Sequence, residues 1–212
     1  MIHSQAWAWA TLFLLGAYHG INPAMGWLFA VSMGLQKQSG RAVWQALLPI
    51  ATGHVLAIAL VILVAVLAGA VLPLHAMKIA VAVVLFGFGI SRLAGKSHPH
   101  WGGMQVGFRD LTVWSFLMAS AHGAGFMLLP VLLGMSATNS GHEMHSIKLP
   151  GIGAQFLAIA VHALGYLILT GAIAWTVYKW LGLSLLRKAW LNLDLLWAIA
   201  LIATAALTLL LM

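Results

Sequence analysis

The chain contains no cysteine, and only three of its 212 residues are acidic. The first absence excludes disulfides, thiolate metal centres and dithiol redox chemistry. The second leaves no pair of carboxylates for general acid–base work, because Asp110, Glu143 and Asp194 are far apart in sequence. No activated serine, phosphate-cradling glycine loop or zincin motif replaces them. No catalytic residue is therefore expected. Charge is scarce altogether, with 6% Asp, Glu, Lys and Arg. A soluble domain of this size cannot cover its surface with so few charges.

What is present is apolar sequence. Hydrophobic residues make up 63% of the chain, and the mean hydropathy is +1.02. Six apolar spans are expected, roughly over 7–35, 43–72, 76–94, 111–134, 151–180 and 189–212. No cleavable leader is expected, since the N-terminus lacks a basic region and 16–23 interrupts the first span. Trp7, Trp9, Trp44, Trp114, Trp180 and Trp190 fall near span ends, as an interfacial belt requires. Trp27, Trp175 and Trp197 lie deeper and are read as packing residues.

The ten Lys and Arg are scattered and form no nucleic-acid surface. They sort by loop instead. Lys37 and Arg41 lie between spans 1 and 2, Arg92, Lys96 and Arg109 flank the connection between spans 3 and 4, and Lys179, Arg187 and Lys188 flank that between spans 5 and 6. Only Lys78 and Lys148 fall on the other side. The positive-inside rule puts those three loops in the cytoplasm and both termini outside a bacterial cytoplasmic (inner) membrane.

Four histidines occupy the middle of four different spans: His19, His54, His122 and His162. Each is about 10–12 residues from the start of its span, which at about 1.5 Å per residue is near the midplane. Ionisable groups at that depth are costly and mark functional sites facing the protein interior. Independent hydrogen bonding across helices would account for one such histidine. Four at matched depth favour a shared site.

Span 1 reads GAYHGINPAMGW and span 4 reads SAHGAGFMLLP, while spans 2 and 5 each carry a mid-span histidine. These likenesses suggest two three-span repeats, 1–95 and 111–212, joined by a cytoplasmic linker at 96–110. Three spans per unit would invert the second copy relative to the first. The expected fold is thus an all-α polytopic membrane protein of six helices in two inverted repeats. Asn22-Pro23 has the chemistry of a helix N-cap and first position. A break there would free carbonyls near His19 and aim a helix start at the midplane. A simple proline kink is the alternative. In span 4, Gly123 and Gly125 around the His122 turn, followed by Pro130, give a weaker version of the break. Glycine there also serves close helix packing.

The histidines, with Met25 and Met127 as candidate soft ligands beside Met118, suit a transition metal: nickel, cobalt, zinc, copper or iron. His19 and His122 would form the central site, with His54 and His162 completing it or relaying protons. With no carboxylate at that depth, a divalent ion would keep its charge unless water, carbonyls or a neutralised species offset it. His98 and His100 in one connection, and His142 and His145 in another, are candidates for metal capture at an entrance or exit. Arg92 and Asp194 could form a structural ion pair. An alternative is haem b held by paired histidines in an electron-transfer subunit. A third is an assembly subunit of a larger membrane complex or homo-oligomer.

The motifs His19-Gly20-Ile21-Asn22-Pro23 and Ala121-His122-Gly123-Ala124-Gly125 resemble those of the LysE-type exporter superfamily, including its nickel/cobalt-exporter and sulfite-exporter-like branches. The resemblance covers most of the chain as architecture and about twenty residues as motif. It implies a small six-helix exporter of an ion or small solute, built from three-span repeats. The HxxxxDH motif of nickel/cobalt exporters is not reproduced, because Ala24 lies where it would continue and no Asp-His pair occurs. The cysteines of the reductant-carrying branch are also missing.

Overall fold

The computed structural model describes residues 2–69, 74–93, 107–137 and 150–181, together with 199, 201–203, 205, 206 and 209. Among the described residues all regular structure is helical. The order is α1 (Ile2–Ile21), a 3₁₀ turn (Pro23–Met25), α2 (Trp27–Gln36), α3 (Gly40–Gly69), α4 (Leu74–Leu93), α5 (Phe108–Ala121), α6 (Ala124–Ala137) and α7 (Ile152–Thr176). A π-helical turn, Val177–Leu181, continues α7.

Two helices are long and apolar enough to cross a membrane, Gly40–Ala68 and Ile152–Trp180. Phe108–Ala121 and Ala124–Met135, bent by 57° at a short break, would together make a third. Asp110 starts α5, its carboxylate accepting the Gly107 N–H at 2.9 Å where acidic side chains suit a helix start. The sixth expected span lies largely outside the described residues. So do Asp194, His98, His100, His142 and His145; Arg92 is in the last turn of α4.

The first expected span is interrupted where Asn22-Pro23 predicts. α1 stops at Ile21, and the Asn22 side chain accepts the Ala24 N–H at 2.9 Å, holding the turn as an N-cap does. Gly26 then takes φ +131°, a conformation open to glycine, before α2 begins. A side chain there would also strike the Ile50 side chain of α3.

The most extensive helix contacts are α1 with α7 and α3 with α5. Both depend on missing Cβ atoms. A methyl on Gly16 would run into the His162 carbonyl, and one on Gly165 into that of Phe13. One on Gly53 would overlap the Thr112 carbonyl. Small residues let backbones approach where lipid provides no hydrophobic drive for helix association. A bond from the Ser115 hydroxyl to the Ile50 carbonyl, 2.6 Å, fastens α5 to α3.

Candidate functional site

Three of the histidines expected at mid-span, His19, His54 and His162, meet. His19 comes from the last turn of α1, His54 from the middle of α3 and His162 from the middle of α7. All three are fully buried. Ring centroids lie 5.1 Å apart for His19 and His162, 5.6 Å for His19 and His54, and 5.5 Å for His54 and His162. The glycine-lined contact between α1 and α7 brings His162 within reach of α1, where its Nδ1 lies 3.2 Å from the Leu12 carbonyl.

His122 is equally buried and ends α5. Its local geometry matches that of His19. The His19 Nδ1 lies 2.7 Å from the Leu15 carbonyl, and the His122 Nδ1 lies 2.8 Å from that of Met118. Each thus bonds one turn back along its own helix, just before a break. Gly123, at φ +70°, makes the second break.

These bonds settle the tautomers. A carbonyl only accepts, so in the neutral rings of His19, His122 and His162 the proton is on Nδ1 and the lone pair on Nε2. The Nε2 atoms of His54 and His162 are 3.3 Å apart. His162 accepts in that bond, so His54 donates from Nε2. The Nδ1 of His54 then carries a lone pair, buried and with no hydrogen-bond partner among the described residues. The Nδ2 of Asn22, also buried, likewise has none. Because Oδ1 faces the Ala24 N–H, the amide orientation is fixed.

Two carbonyls at the break are taken by side chains. Trp27 Nε1 donates to the Ile21 carbonyl at 2.9 Å, and the Tyr166 hydroxyl donates to that of Met25. Two residues read from sequence as packing, or passed over, thus seal the interruption. Tyr166 also stacks on His54, with centroids 4.0 Å apart and planes at 10°. One signal for it was legible: Tyr166 follows His162 by one helical turn, so the two share a face. Its non-local partners had no such trace.

Met25, Met118 and Met127 are buried. Glycines beside the histidines do not open a cavity: a Cβ on Gly20 would meet the Tyr166 carbonyl at 2.7 Å, and one on Gly125 the Val61 side chain at 2.5 Å. Among the described residues no three His, Cys, Asp or Glu side chains are placed to hold a metal ion together.

Fold and site define a helical protein with membrane-length apolar helices and a histidine cluster at a helix interruption. Comparison with family models, with curated proteins and with solved structures finds no match to this chain.

Proposed function

We propose that the chain is a transporter of the cytoplasmic membrane that passes a transition-metal ion, or a small metal-associated solute, through the histidine cluster. The observation that carries this is the meeting of His19, His54 and His162, fully buried and from three helices, at the interruption of the first span. Metal-ligating histidines characteristically donate their second N–H to a carbonyl, leaving the other nitrogen as ligand. His19, His122 and His162 are held in that state. The 3.3 Å between the Nε2 atoms of His54 and His162 equals the edge of a tetrahedron with metal–nitrogen bonds of about 2.0–2.1 Å. For both to ligate, the His54 proton moves from Nε2 to Nδ1.

A transit site is assembled by helix movement and need not be complete at rest. The reciprocal pairing of α1 with α7 and α3 with α5 supports two inverted three-helix units: the first helix of each packs on the second of the other. The motif resemblance to LysE-type exporters points to export. Rocking of the two units would expose the cluster to each side in turn.

Transport into proteoliposomes, with nickel, cobalt, zinc, copper and iron(II) tried in turn, tests the proposal. His19→Ala combined with His162→Ala is expected to lower flux of the carried metal at least tenfold; undiminished flux overturns the mechanism. The haem alternative asks for axial nitrogens about 4 Å apart across a macrocycle. The His54–His162 spacing and the stacked Tyr166 do not favour it, and a Soret band in the purified protein would restore it. Inactivity alone with stable co-purification of partners would instead mark an assembly subunit.

A further inference from the structure

We propose that Tyr166 is a positioning residue: its phenol latches the interrupted first span closed against the histidine pair, and release of the Met25 carbonyl opens the interruption. The inference deepens the transport reading, but it also makes a claim about conformation that stands apart from flux.

The bonds at the interruption differ in what they connect. The Asn22 side chain bonds Ala24, two residues on, and the Trp27 indole bonds Ile21, six residues back. Both travel with the turn if it moves. Tyr166 lies 141 residues away on α7, and its hydroxyl reaches the Met25 carbonyl at the end of the 3₁₀ turn. Shifting the turn relative to α7 must break that bond and can leave the local ones intact. The same side chain is stacked on His54, a turn beyond His162. A displacement of the His54 or His162 ring on binding cargo is thus felt directly at the latch. Tyr166 is fully buried and among the largest fully buried side chains in the described core, so water does not compete for its hydroxyl. Gly20 keeps α1 against this part of α7, with the Thr170 hydroxyl 2.9 Å from where its Cβ would be.

Because the chain has no cysteine, one introduced thiol reports on one place. Ala24, half-buried in the turn, is replaced by cysteine in reconstituted full-length protein and labelled with a membrane-impermeant maleimide. Ala59→Cys, half-buried in α3, is the control. Tyr166→Phe keeps the ring and removes the donor. It is expected to speed labelling at position 24 about five- to tenfold, the worth of one hydrogen bond, with position 59 unchanged within twofold. Equal rates at position 24, or parallel rises at both positions, overturn the proposal. A second arm retains the fold: biosynthetic 3-fluorotyrosine, a stronger phenol donor, is expected to slow labelling at position 24, and no slowing counts against the latch. In metal flux, Tyr166→Phe should change the maximal rate while the half-saturating concentration stays within twofold. If wild-type protein carries metal but labelling ignores the Tyr166 change, the latch fails alone. If labelling responds but no metal is carried, the transport reading fails alone.

Discussion

At the scale of single residues, the site is governed by which nitrogen of each imidazole bears the proton. Carbonyls of Leu15, Met118 and Leu12 determine this for His19, His122 and His162, and the Nε2 contact passes the decision to His54. Nitrogen-15 spectra of histidine-labelled protein are therefore expected to show, among its ten histidines, His19, His122 and His162 protonated on Nδ1 and His54 on Nε2. A His54 signal of the other tautomer would remove the inferred donor from the pair. The glycines make a second prediction at this scale. Gly53→Ala would force a methyl against the Thr112 backbone, and Gly165→Ala one against Phe13. Each should lower unfolding stability in detergent by about 1–3 kcal/mol, the range for overpacking. Gly134→Ala, with nothing within 4 Å of the added carbon, should not.

At the scale of elements, the interruption between α1 and α2 is the feature most legible in sequence. Asn22 caps, Pro23 opens the new turn, and the two together end a helix by local chemistry alone. The role of Gly26 was not so visible, since a glycine within an apolar run also reads as a packing residue; its φ of +131° reveals the need. Asn22→Ala removes the bond to Ala24 and is expected to cost about 0.5–2 kcal/mol in the same unfolding assay. Gly26→Ala should cost more, because it meets both an unfavourable backbone and the Ile50 side chain. An Asn22→Ala protein of unchanged stability would show that the turn is held by Trp27 and Tyr166 instead. Of the carbonyls at the break, those of Ile21 and Met25 have partners that the sequence did not announce. The first is met by an indole six residues on, the second by a phenol whose position depends on how the chain returns.

At the scale of the whole molecule, the reciprocal contacts α1–α7 and α3–α5 interlock the first and second halves of the chain. Neither half closes its histidine site alone, since His19 and His54 come from one and His162 from the other. The proposed inverted arrangement puts both termini on one side, and the positive-inside rule makes that side the outside. Alkaline phosphatase fused at either terminus should be active, and inserted after Gln38, between α2 and α3, it should be inactive. The opposite pattern would refute that topology.

Apolar helices and the break at Asn22-Pro23 follow from the order of residues, because hydrophobic length, capping and proline sterics act over a few neighbours. Which rings meet was decided only by packing. His162 joins His19 because Gly16 and Gly165 let α1 and α7 touch along their backbones. His54 joins them from α3, which the local sequence around it does not foretell, for proximity between distant helices is a property of the folded chain and not of any segment.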